Sequence, residues 1–113
     1  MLNQPPKRDH FVYVLELDPA AGTTKAARKA NPARHPEMPC VYLGQTSLKI
    51  EERIQRHLGG GRLSSRVVRD HYLHALPAFH EHLNPLTELE SLRRERTLGR
   101  ELRGFGYTVF GAK

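Results

Sequence analysis

The sequence predicts an α+β domain in which helices pack on a small sheet. Three observations carry that expectation. Two short β-rich runs, 11–17 and 40–43, come before most of the helical signal. Two stretches, 48–58 and 87–105, carry apolar residues at helical spacing. A last β-rich run, 107–110, gives the order β, β, α, α, α, β once a third helix is read over 63–73.

Size and composition set limits on what such a chain does. The 113 residues make one domain, 11–113, behind a polar tail over 1–10. A chain of this size buries roughly two thirds of its unfolded surface, so one core is feasible without staples. No run approaches the about 18 apolar residues of a membrane span, and the N-terminus has no apolar leader segment. A single cysteine makes neither an internal disulfide nor a Cys-pair zinc site, which fits a reducing cytoplasm. The 18 Lys and Arg against 12 Asp and Glu leave a net charge of +6. A small basic domain commonly meets a polyanion, nucleic acid first, although this charge also serves solubility alone.

The first run, Phe11-Val12-Tyr13-Val14-Leu15-Glu16-Leu17, is nearly unbroken in its hydrophobicity and reads as a central strand covered on both faces. Residues 18–39 hold four prolines and read as a long basic Pro/Ala-rich loop, either a tolerated insertion or an arm whose Lys25, Arg28 and Lys29 meet phosphates. Cys40-Val41-Tyr42-Leu43 is a second strand, ended by Gly44. Ser47 is placed to cap the helix over 48–58, with Glu51 and Glu52 near its positive end. Arg53 and His57 stand four apart on one surface of it. Gly59-Gly60-Gly61 stops this helix, and Arg62, Arg66 and Arg69 follow, as a linker or a phosphate-approach loop. His71, His74, His80 and His82 have metal-like spacings, but Pro77 divides the pairs and surface or loop histidines are the expectation. Asn84-Pro85 turns the chain, and Thr87 with Glu90 forms a capping box for the last helix.

On a wheel of about 100° per residue, Leu92, Leu98, Gly99, Leu102 and Phe105 share one side of that helix. Arg93, Arg96, Thr97, Arg100 and Arg103 share the other. Glu95 falls in the apolar sector. A carboxylate aimed at a core costs several kcal/mol unless it is paired or metal-bound. Glu95 is therefore either half of a buried ion pair or a ligand for a hydrated cation such as Mg²⁺.

Taken in order, Val12-Tyr13-Val14, Val41-Tyr42-Leu43-Gly44-Gln45-Thr46, Arg53-x-x-x-His57 and the late helical Glu95 resemble the GIY-YIG endonuclease family. The resemblance spans about 11–110. It implies a three-stranded antiparallel sheet flanked by helices, and hydrolysis of phosphodiester bonds with one divalent ion, Mg²⁺ or Mn²⁺. Under it, Tyr42 is the general base on the attacking water, Tyr13 supports it, Arg53 stabilises phosphate charge, His57 lies near the nucleophile's proton and Glu95 binds the metal. Gln45, Lys49, Arg56, Arg62 and Arg66 join Lys25, Arg28 and Lys29 as candidate contacts to nucleic acid, DNA ahead of RNA. Phe11 stands where the family has the first Gly of its first motif, and Leu43 where it has Ile. Many members carry an Asn after the metal-binding helix; here that stretch reads Gly106-Tyr107-Thr108-Val109-Phe110.

The residue types suit the chemistry. A tyrosine, with a reference pKa of about 10, becomes a base near neutrality only if cations lower that value, which Arg53 and a metal ion both do. An arginine binds phosphate oxygens through two donors. The competing readings are a non-catalytic nucleic-acid-binding module on the same scaffold and a protein-interaction domain whose basic surface is incidental.

Overall fold

The computed structural model describes residues 4–112, so the first three residues of the expected tail, and Lys113, lie outside the described residues. The protein is an α+β fold built on one four-stranded mixed sheet. Strand β1, Phe11–Leu17, and strand β2, Cys40–Thr46, form its centre. They pair antiparallel, with Tyr13 opposite Gly44 and Leu15 opposite Tyr42. The short strands β3, Tyr72–Ala75, and β4, Thr108–Gly111, flank them in the order β3-β1-β2-β4.

Two features correct the expected three-stranded antiparallel sheet. β3 exists, paired antiparallel to β1, and β4 runs parallel to β2. The helix expected over 63–73 is only α3, Arg66–His71, because the next four residues serve the open edge of β1. β4 is parallel because the chain returns to the sheet by a long crossover, as parallel neighbours require. That crossover ends in α5, Glu88–Gly104, which packs on the sheet.

The alternation of β1 and β2 explains their continuous hydrophobicity. Val12, Val14, Val41 and Leu43 point to one face, where they meet Leu98 and Leu102 of α5 and Val109 of β4. Tyr13 and Leu15 point to the other, where they meet Ile54 of α2, Ile50–Leu58, and Val68 of α3. Helices thus cover both faces, and residues 12–15 are at most 1% exposed.

The stretch 18–39, read from the sequence as a long loop, contains regular elements. A 3-10 turn, Pro19–Thr23, and helix α1, Lys25–Ala30, occupy it. Asp18 accepts from the Ala20 amide and Thr24 from the Ala27 amide, so each start has its own cap. Past α1, the side chain of Asn31 accepts from the Val109 amide at 2.9 Å and donates to the Val109 carbonyl at 3.2 Å. It thereby supplies β4 with the partner its outer edge lacks. Asn84 does the same for Val12 of β1, through two bonds of 2.8 Å.

Other expectations shift locally. Ser47 does not cap α2, which starts after Lys49 with no side-chain cap. The capping box of α5 is present, with Thr87 and Glu90 bonded reciprocally. The apolar sector of α5 is narrower than its wheel: Leu98 and Leu102 are buried, whereas Leu92 is 40% and Phe105 71% exposed. A short helix α4, Pro77–His80, absent from the sequence reading, buries His80, whose Nδ1 accepts from the Val14 amide. Before β1, Arg8 pairs with Glu90 at 2.8 Å and His10 bridges to Leu86.

Candidate active site

β4 covers β2 only from Cys40 to Leu43, so among the described residues no strand lies beside Gly44, Gln45 and Thr46 on that edge. A cleft of about 440 Å³ occupies the resulting notch. Tyr42 reaches it from the α2 face of the sheet and Glu95 from α5 on the opposite face, with Arg53, Leu63, Ser65 and Leu92 completing much of its wall. Strand length therefore brings together groups that the alternation of the sheet would otherwise keep on opposite sides.

Tyr13 and His57 stand behind Tyr42. Both are buried, at 1% and 0% exposure, and neither lines the cleft. The Tyr13 and Tyr42 ring centroids are 6.2 Å apart, and the Tyr42 ring meets the His57 ring edge-on at 5.2 Å. Gly44 makes this packing possible. A Cβ built there would collide with the Tyr13 hydroxyl and ring, so the strand needs a glycine opposite this tyrosine.

The hydrogen bonds define the histidine's state. Nδ1 of His57 accepts from the Ser65 backbone amide at 2.8 Å, so the ring's proton sits on Nε2. Nε2 lies 2.8 Å from the Tyr13 hydroxyl and donates to it. Burial, and then the Arg53 charge, push His57 down to about 4, so it is neutral at physiological pH. Such a ring holds Tyr13 in place and does not take a proton from water.

Both phenols are held protonated. Burial pushes Tyr13 far above the ordinary tyrosine value, with Tyr42 adding to the effect and Arg53 opposing it. Burial also raises Tyr42; the Arg53 guanidinium opposes, the Glu95 carboxylate reinforces, and the neighbouring Ser65 and Tyr13 hydroxyls favour the phenolate. Arg53 donates through Nη2 to the Leu63 carbonyl at 2.9 Å, which leaves its other donors for phenol and cleft.

Glu95 is 8% exposed, as its place in the apolar sector requires. Among the described residues no group of three or more His, Cys, Asp or Glu side chains could hold a metal ion, so the four spaced histidines do not form a centre. The cleft instead offers one buried carboxylate and a phenol. That oxygen donor set fits a hard, mostly hydrated divalent ion such as Mg²⁺, which needs only one or two protein carboxylates beside substrate phosphate.

A second cleft, of about 870 Å³, adjoins the first and shares Gln45, Arg53, Leu63 and Ser64 with it. Arg56 and Arg62 line it, as do His10 and Glu88. Of the candidate nucleic-acid contacts, Gln45, Arg56 and Arg62 therefore border the site. Lys49 and Arg66 are exposed but line neither cleft. Lys25, Arg28 and Lys29 lie on α1, which packs on β4 and the 3-10 turn, and line neither cleft.

The sequence reading missed Ser65 and the carbonyl of Leu63. Ser65 carried a signal only as the N-cap of α3, where its hydroxyl accepts from the Val68 amide. A backbone carbonyl carries none. No family model, curated protein or solved structure matches the chain.

Proposed function

We propose that the protein is a metal-dependent endonuclease of GIY-YIG type acting on DNA. The observation that carries this reading is the convergence of Tyr42, Arg53 and Glu95 on one cleft, backed by Tyr13 and His57, from four elements spread over 83 residues of sequence. Five residues singled out for one chemistry are thereby packed together, and an arginine-lined cleft adjoins them.

In this mechanism Arg53 binds the scissile phosphate through donors not committed to Leu63. Glu95, with Tyr42 beside it, would hold Mg²⁺ or Mn²⁺. When bound, the ion supplies positive charge to the phosphate and to the neighbouring phenol. Tyr42, once its own proton has passed to solvent, takes the proton of the attacking water as that oxygen bonds to phosphorus, and the displaced bridging oxygen leaves and is protonated from solvent. Burial opposes that role by keeping Tyr42 protonated, so the base forms only as cationic charge gathers at the cleft. Tyr13, fixed by His57, steadies Tyr42 from behind. The buried free thiol of Cys40 agrees with a reducing, cytoplasmic setting. No helix among the described residues is long and apolar enough to cross a membrane.

A second reading, a non-catalytic DNA-binding module, is favoured by the absence of an Asn after α5 and by the protonated state of Tyr42. Nicking of supercoiled plasmid with and without Mn²⁺ decides between them, with Glu95→Gln as control. Metal-dependent nicking lost in that variant supports the nuclease. Salt-sensitive DNA binding with no nicking supports the module, and no binding removes both.

A further inference from the structure

We infer that Leu63 is a wedge that enters the base stack beside the cleavage point, so that the site takes DNA opened at one step. This deepens the nuclease reading above and rests on it. Single exposed leucines are ordinary on protein surfaces. Leu63 differs in position, in how it is held and in what faces it.

Leu63 is 80% exposed and lines both clefts, so with Gln45, Arg53 and Ser64 it stands on the boundary between the Tyr42–Glu95 cleft and the arginine-lined one. A strand running from one cleft to the other passes over this boundary, where Leu63 is the exposed apolar side chain. The backbone under this side chain is held on both sides. The Leu63 carbonyl accepts from Arg53, and Ser64 closes a turn onto the Gly61 carbonyl through its amide at 2.9 Å and its hydroxyl at 2.6 Å. The group assigned to the scissile phosphate thus also sets the height of the leucine, fixing the wedge in register with the cut. Leu92, 40% exposed, lines the same cleft. A cleft lined by Arg53 and Glu95 together with exposed Leu63 and Leu92 offers charge to a phosphate and apolar surface to sugar or base faces. Apolar side chains inserted between base steps unstack and kink the duplex in this way.

The test uses the Glu95→Gln protein, expected to bind without cutting, and duplexes carrying 2-aminopurine, a base whose emission rises on unstacking. Binding should raise the emission when the probe adjoins the contacted step. Leu63→Ala in the same background should abolish the rise and weaken binding to intact duplex about tenfold. Leu63→Met should retain both, and a duplex already opened by a flap or mismatch should bind the alanine variant as tightly as the parent. Thermal unfolding of each variant confirms that an exposed position has left the fold intact. Salt-sensitive binding with an unchanged emission, or an equal rise in parent and Leu63→Ala, overturns the wedge alone. The absence of any salt-sensitive binding by the wild-type protein overturns the nuclease reading and the wedge together.

Discussion

The Tyr13 hydroxyl receives its hydrogen bond from Nε2 of His57, and the Ser65 amide on Nδ1 fixes that direction. A neutral imidazole in this position links stability to pH. The unfolded chain takes up a proton as pH falls below about 6.5, whereas the folded chain resists until about 4. The contribution of His57 is therefore complete above pH 6.5, falls away as pH drops through that window, and is gone below 4. His80, pushed down by burial, acts in the same sense. Urea unfolding at pH 7.5 and 4.5 measures the difference, and His57→Gln should reduce it. Equal stability at both pH values contradicts the neutral state assigned to the His57 ring.

Gly44→Ala places a methyl group against the Tyr13 ring. The ring has no free volume behind it, since it is 1% exposed and packs on Ile54, Leu15 and Val68. The expected loss is about 1–3 kcal/mol, the usual range for overpacking. Plasmid nicking should fall as well, because displacing Tyr13 moves Tyr42. Unchanged melting temperature and activity together would show that the strand accommodates a side chain here.

Tyr42→Phe should lower nicking by about 10²–10⁴-fold, the scale of a lost general base, while leaving DNA affinity intact. Glu95→Gln should abolish the response to added Mg²⁺ or Mn²⁺ and likewise leave binding in place. Full turnover in Tyr42→Phe refutes the base assignment. Binding lost along with turnover in either variant points to a folding role instead.

The clefts divide the cations into two groups. Arg56→Gln and Arg62→Gln should each weaken DNA binding and reduce the slope of log affinity against log salt by about one. Lys25→Gln, Arg28→Gln and Lys29→Gln, on α1, should change it little, because those side chains line neither cleft. A titration series from low to moderate salt separates the groups, and an equal effect of both sets places the DNA elsewhere.

Asn31→Ala removes the acceptor of the buried Val109 amide, leaves the Val109 carbonyl with only the long 3.5 Å bond from Arg103 Nη2, and frees Arg103 Nε. A loss of about 1–3 kcal/mol is expected for such unsatisfied groups. Faster hydrogen exchange at the Val109 amide, with β1 amides slower to respond, locates the effect.

What the sequence by itself determined was local. The hydrophobic run at 11–17 declared a strand covered on both faces, and Val12 through Leu15 are buried. Thr87 and Glu90 declared the start of the last helix, and the place of Glu95 among leucines declared its burial. These follow from periodicity and from bonds between residues close in the chain. Tertiary structure alone decided the parallel course of β4, the pairing of 72–75 with β1, and the use of Asn31 and Asn84 as substitutes for a strand. Each of these satisfies a backbone edge whose need arises only when distant segments are already assembled. The cleft is the same kind of result. Tyr42 and Glu95 meet because β4 stops at Gly111 while β2 runs on to Thr46, a difference in length between two strands that no single stretch of sequence contains.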